Sequence, residues 1–405
     1  MSAVKKITVV RHHTETLLQR YGLGTLFAAN VLGAGSVYIL AQTGANVGFA
    51  LFWVLPIAFG LDMIMHDLSG RMAKHDQPLM KYIRDVVGSP WSQLFATTMA
   101  LVMQFWAVAN YAVAGAVISW FTGGHVLLTV PLVSGLAVVL ILTGTYGRIE
   151  AIISSLILLV FAGYSSLVFA LDVPLGAVVT GLVPGGVPDA TLVIAMLGTT
   201  VYYPNFFIQS SMHPTKQWTS LKRWRRDNAV GIGFTVVVSA AMLSVAALTL
   251  SVGELTLTDP AMPLIEIIGG WALPVFMIAV LAASFTSATG TLFGSGFAVP
   301  QSFGLDTEFG DSNFVKTVCI LIAISTVLAM GALQYTNMTP VRMAIVMPAL
   351  NGAIYLPITI FAMYMANRHR LGLKQKVVTV VAILMMVAGS VLTTQSLYQT
   401  ILNWL

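Results

Sequence analysis

The sequence predicts an all-α integral membrane protein: a single transmembrane domain of eleven helices, five plus five in an inverted repeat, with one accessory helix at the end. Three observations carry that expectation. The first is composition, since 57% of the 405 residues are hydrophobic and only 9% are charged, whereas soluble domains carry roughly 25% charged residues. The second is a series of eleven apolar windows, each about 20 residues and so long enough to cross a bilayer as a helix. The third is the placement of charge. With the amino terminus inside, nineteen of the twenty Lys and Arg residues fall in internal segments and only Arg342 lies outside. Positive charge is retained on the cytoplasmic side. The net charge of +5 therefore reports orientation in a plasma (inner) membrane, amino terminus cytoplasmic and carboxyl terminus external. It gives no nucleic-acid surface, because no basic domain with interleaved aromatics stands clear of the bilayer.

In chain order the windows are approximately 22–44, 47–68, 91–121, 126–144 and 150–171, which form the first repeat (22–171). The loop Val173 to Pro188, rich in Pro and Gly, reads as an external connector. Windows 190–212, 229–252, 269–300, 314–334 and 341–366 form the second repeat (190–366), and 376–397 is the accessory helix. Two units with an odd number of spans each must be inverted relative to one another, the geometry of transporters that rock around a central site. The first twenty residues are too charged for a cleaved signal peptide. The run Lys222-Arg223-Trp224-Arg225-Arg226 reads as an internal topogenic loop that could also touch anionic lipid. Cys319, the one cysteine, lies within a span, so neither a disulfide framework nor a Cys metal site is available. No GxxxxGK[ST] motif is present, and no cofactor is expected. Movement would draw on an ion gradient or on the substrate's own gradient.

Two spans carry signs of a broken helix. In Leu197 to Met212, Pro204 has no N–H to donate and crowds the preceding turn, so a helix must kink or open there. In the first span, Gly33-Ala34-Gly35-Ser36 can leave helical geometry at low steric cost and expose successive backbone N–H groups. Broken backbone at membrane depth survives where protein covers it or where it lines a cavity. The plain alternatives are a packed proline kink and close helix packing at the glycines. The candidate substrate residues are Gly33, Gly35 and Ser36 on one side, and Thr199, Tyr202, Tyr203, Asn205 and Gln209 on the other. Phe206 and Phe207 would add aromatic walls. Asp62 and His66 are the two ionisable residues that lie clearly within a span, four apart and so on one helix face. They could relay a proton, or form a gate contact near the inner interface, where Asp67 and Arg71 follow.

Several stretches resemble the Nramp (natural resistance-associated macrophage protein) family of proton-coupled divalent metal transporters. They are Tyr146-Gly147-Arg148-Ile149-Glu150, Gly181-Leu182-Val183-Pro184, and Leu197-Gly198-Thr199-Thr200-Val201 with Asn205 and Ser210. Ala282-Ala283, Thr289-Gly290-Thr291-Leu292, and Asn351-Gly352 with Pro357 extend the likeness through the tenth span. The resemblance implies a LeuT-type fold with broken first and sixth helices. It does not carry the metal site over. Where the family has Asp-Pro-Gly-Asn, this chain has Gly33-Ala34-Gly35-Ser36. Where the family has Met-Pro-His-Asn, it has Tyr202-Tyr203-Pro204-Asn205, and the family's next histidine is Gln209. The acidic pair of the third helix is missing between Gln104 and Gly115.

Hard divalent ions are held by charged oxygens and transition metals by matched softer ligands, and neither broken helix contains a carboxylate. The residues therefore point to a secondary transporter, proton-coupled, for a small polar organic solute such as a carboxylate or amino-acid-like molecule, whose backbone N–H groups would face the anion. The alternative within transport is a divalent metal importer for Mn, Fe or Mg. Outside transport, the chain could be a sensor on a transporter scaffold. An enzyme is not expected, for want of a nucleophile–base or metal constellation.

Overall fold

A computed structural model describes residues 31–75, 77–143, 163–216 and 221–402. The motif Tyr146–Glu150 and the starts of the first and fifth spans lie outside the described residues. Among those described, the chain is helical with no strand. In chain order the helices are α1 (Ala34–Val47), α2 (Val54–His75), α3 (Leu79–Val87), α4 (Ser89–Thr122), α5 (Val126–Leu142) and α6 (Gly163–Ala170). Then come α7 (Leu175–Gly181), α8 (Ala190–Thr200), α9 (Pro204–Lys216), α10 (Leu221–Thr249) and the short α11 (Met262–Ile268). The remainder is α12 (Ala272–Ser302), α13 (Ser312–Tyr335), α14 (Pro340–Asn367) and α15 (Leu373–Leu402).

Local sequence sets the ends. The Asp189 carboxylate accepts from the N–H groups of Thr191 and Leu192 at 2.8 and 3.0 Å, satisfying donors that the first turn of α8 leaves unpaired. α4 stops at Gly123, whose φ of 67° is left-handed. Pro348 and Pro357 lie inside α14, as membrane helices tolerate when neighbours cover the freed backbone.

Three departures from the sequence expectation bear on function. The connector after the fifth span contains a helix, α7, bent 120° from α6. The second span runs to His75, which places Asp62 and His66 in its middle. The seventh starts at Leu221 rather than near residue 229. Its first turns are amphipathic, with Lys222, Arg223, Arg225 and Arg226 exposed and Trp224, Asp227 and Asn228 buried. The charged residues therefore belong to a helix face instead of a loop, and Asp227 joins Asp62 and His66 as a buried ionisable group.

Packing follows the inverted relation. α4 and α12, the third and eighth expected spans, share the most extensive interface; α1 packs on α10, and α9 on α2. So the first span meets the seventh and the sixth meets the second. Small residues permit the close crossings. A Cβ on Gly44 would stand 2.6 Å from the Leu243 carbonyl, and one on Gly198 would stand 2.2 Å from that of Pro348. Exposed apolar stripes such as Leu128, Leu132 and Leu136 on α5, or Ile320, Ile324 and Val327 on α13, form the rim. Lipid-facing surface of a polytopic bundle is apolar in this way.

Candidate functional site

The first break lies at Leu32 and Gly33, between helical Val31 and the start of α1. It leaves backbone groups that need partners, because buried N–H and C=O groups are costly unpaired. The Ala34 N–H donates to the Asn110 side-chain oxygen at 3.1 Å, and the Asn110 amide nitrogen donates to the Trp106 carbonyl at 3.0 Å. The Val31 carbonyl accepts from the Ser36 hydroxyl. That commits the single Ser36 proton, so in the 2.6 Å contact between Ser36 and Thr199 the Thr199 hydroxyl donates. One serine thus closes the first break and ties it to the end of α8.

The second break spans Val201 to Tyr203, and Pro204 is the first residue of α9. The proline therefore starts a new half-helix, at a position where its missing N–H costs nothing. The two tyrosines diverge. The Tyr202 ring lies 4.8 Å from that of Trp106, and its hydroxyl donates to Thr291, whose own proton goes to the Ser287 carbonyl. Trp106 Nε1 donates to Ser287 Oγ at 2.9 Å. Tyr203 turns the other way and stacks on Tyr355 at 5.9 Å and 25°. Its hydroxyl is buried without a hydrogen-bond partner.

Gly33, Ser36, Thr199 and Tyr202 therefore meet, joined by Asn110, Trp106, Ser287 and Thr291. Sequence reasoning missed these last four. Their signal was polar or amphipathic pairs four apart within apolar spans, Trp106 with Asn110 and Ser287 with Thr291. Of the N–H groups over 33–36, Asn110 takes that of Ala34, and beyond them the Val37 N–H returns to the Gly33 carbonyl at 3.3 Å. A Cβ on Gly33 would lie 2.4 Å from Ser287 Oγ. Gly35 serves a helix crossing, where a Cβ would meet Pro348 Cγ at 2.9 Å and the Ala344 carbonyl at 3.2 Å. Asn205 is buried in the first turn of α9.

Gln209 belongs to a second cluster. Asp62 and His66 are 2% and 1% exposed, well inside the protein. His66 Nδ1 lies 2.6 Å from Gln209 Oε1, and His66 Nε2 lies 3.6 Å from Asp62 Oδ1. The Gln209 amide nitrogen donates to Asn228 at 3.2 Å. The Phe206 ring meets the imidazole in a T-shaped contact at 4.9 Å, and Phe207 lies 6.5 Å from Phe95. Asp67, one residue beyond His66, accepts from Arg71 at 2.9 Å and from Arg225 of α10 at 2.6 Å.

At one end of the bundle the segment before α11 is fastened to α1. Gln42 donates to the Gly253 carbonyl and accepts from the Leu255 N–H, Asn46 accepts from the Gly253 N–H, and Tyr38 donates to the Leu257 carbonyl. Arg342 donates to both Glu254 oxygens, and this contact holds the Glu254 carboxyl below its ordinary pKa. A cavity of about 580 Å³ opens here, lined by Gln42, Asn46, Asp189, Glu254 and Arg342 among others. At the opposite end, Ser69 donates to the Phe206 carbonyl and Ser210 accepts from the Leu79 N–H. Hydrogen bonds therefore bridge neighbouring elements at both ends of the broken helices.

The chain matches the natural resistance-associated macrophage protein-like family over residues 24–401. It is 23% identical to a divalent metal cation transporter MntH of Verminephrobacter eiseniae, over 94% of this chain and 89% of that one. Among solved structures it is similar to the manganese transporter of Eremococcus coleocola, with a TM-score of 0.72 at 17% identity, covering 95% of this chain and 88% of that one. The nucleobase-cation-symport-1 family transporter Mhp1 superposes with a TM-score of 0.61 at 16% identity, over 94% and 91% of the two chains. These likenesses give the LeuT-type fold. The chain belongs to the Nramp family and is a multi-pass membrane transporter.

Proposed function

We propose that this Nramp-family transporter is driven by protons and carries a small polar organic solute, a carboxylate or amino-acid-like molecule, instead of a transition metal. The observation that supports this reading is the occupancy of the position where the family's ligating Asp stands. Gly33 takes it, and Ser287 Oγ fills the space a side chain would need. Around the breaks, Ser36, Asn110, Thr199, Tyr202 and Asn205 are all neutral, and among the described residues no three His, Cys, Asp or Glu side chains converge. Dehydrating Mn²⁺ or Fe²⁺ calls for charged or soft ligands. Neutral hydroxyls and amides beside the Trp106 and Tyr202 rings suit an organic molecule with a polar group and an apolar body.

The second reading is a divalent metal importer, favoured by the relatives named as divalent metal cation transporters. An all-oxygen neutral set would then fit a hydrated Mg²⁺ better than Mn²⁺. One experiment separates the two: calorimetry and thermal shift on the purified full chain against Mn²⁺, Mg²⁺, small organic acids and amino acids in parallel. The expected result is stabilisation by an organic solute, with Mn²⁺ binding no tighter than millimolar. Micromolar Mn²⁺ binding would overturn the proposal.

A further inference from the structure

We infer that Asp62, His66, Gln209 and Asn228 form one proton-handling unit in which Gln209, held by Asn228, is the positioning residue that joins the Asp62–His66 pair to the inner half-helix α9. The assignment of atoms follows from donor counting. The Gln209 amide nitrogen donates to Asn228 Oδ1, so its oxygen faces the imidazole. An amide oxygen only accepts, hence His66 Nδ1 carries the hydrogen in their 2.6 Å contact. The other ring nitrogen, Nε2, is then the one that exchanges a proton. It faces Asp62 Oδ1, a buried oxygen with no hydrogen-bond partner, at 3.6 Å.

Such a pair accommodates one proton. Either the Asp62 carboxyl faces the Nε2 lone pair, or the carboxylate faces an imidazolium; with no proton, two electron-rich atoms oppose each other. The proton moves between Oδ1 and Nε2, leaving an uncharged pair in one arrangement and an ion pair in the other. At 3.6 Å the contact is longer than a hydrogen bond, so transfer requires the ring or the carboxyl to approach. Gln209 sits five residues beyond Pro204, the first residue of α9. A tilt of α9 therefore shifts the amide that holds the ring.

Few charges compete on the elements packed against α2. From α10, Arg225 pairs with Asp67, and Asp227 is buried next to Asn228 in sequence. α9 carries His213 and Lys216 in its last turn and α8 carries no ionisable residue. On α3, Lys81 pairs with Asp306, Arg84 lies beside Gly304 and Asp85 accepts from Gln77. On α14, Tyr355 stacks on Tyr203 and Arg342 is held by Glu254 at the far end.

The sense of the coupling rests on the transport reading above; the proton chemistry does not. The test uses the full-length protein without substrate. Histidine-selective ¹⁵N labelling, with His66→Asn to assign its signals among seven histidines, reads the tautomer, and infrared difference spectra between two pH values read the Asp62 carboxyl, identified by Asp62→Asn. Neutral His66 should carry its proton on Nδ1. Gln209→Ala should lose that preference and Gln209→Glu, which keeps the accepting oxygen, should retain it. His66→Asn should move the pH at which the Asp62 band changes. A wild-type proton on Nε2, an unchanged tautomer in Gln209→Ala, or an Asp62 band indifferent to His66→Asn would overturn the inference. A correct relay in a protein that concentrates no solute would instead count against the transport reading.

Discussion

At Gly33 there is no room for a side chain. The family's acid would need its Cβ where Ser287 Oγ stands, 2.4 Å away. Gly33→Ala should therefore cost about 1–3 kcal/mol of stability through overpacking, read by thermal denaturation in detergent. In a Ser287→Gly background the same change should cost less, since both Cβ and Oγ of Ser287 crowd the position. Equal cost in both backgrounds would remove the clash as the cause. Asn110 acts on the same stretch from α4. Asn110→Ala leaves the buried Ala34 N–H unpaired, a loss of about 1–3 kcal/mol, again read as a lowered melting temperature.

At the scale of elements, α1 holds the segment before α11 at the end of the bundle that the charge bias predicts to face outward, and we expect these contacts to control closure there. Gln42 contributes two hydrogen bonds to backbone there. Net bonds of this kind contribute about 0.5–1.5 kcal/mol each, so Gln42→Ala should speed external labelling of a cysteine placed at Thr200 by about tenfold. An unchanged rate would show that other contacts hold the closure. The Glu254–Arg342 contact adds a pH dependence with a defined sign. Its carboxyl is held below the ordinary glutamate value of 4.5, first by the hydrogen bond from Arg342. A lowered folded value means the contribution is fully present above that ordinary value and is lost as pH falls through the folded value. Outer closure should be constant through neutral pH and loosen only in acid, and Glu254→Gln should abolish that acid response in the same labelling assay.

For the whole molecule, the distribution of basic residues predicts that residues 1–20 and 213–228 face the cytoplasm, while 253–268 and the carboxyl terminus face outward. Cysteines at positions 218 and 257, in a Cys319→Ser background, should react with an impermeant reagent from opposite sides of the membrane. Labelling from one side would contradict the five-plus-five inverted arrangement. The same arrangement places the closing contacts of Gln42 and of Ser69 on opposite sides of the broken helices.

The class, the broken helices and the family likeness are legible in the residues alone. Each of these depends on local chemistry: apolar windows of bilayer length, a proline without an N–H, glycines that tolerate a break, and a charge bias set during insertion. The sequence also singles out Asp62 and His66, because two ionisable groups four apart in an apolar span are visible without coordinates. What those residues do to one another depends on how the helices pack. That Tyr202 and Tyr203 face opposite ways depends on the turn at Val201 to Tyr203. That Asn110 caps α1 from 76 residues away, and that Gln209 joins His66 from 143 residues away, depends on how two repeats interlock. Such contacts leave no period in the sequence, since the partners' spacing along the chain is set by loops and not by the geometry in which the side chains meet.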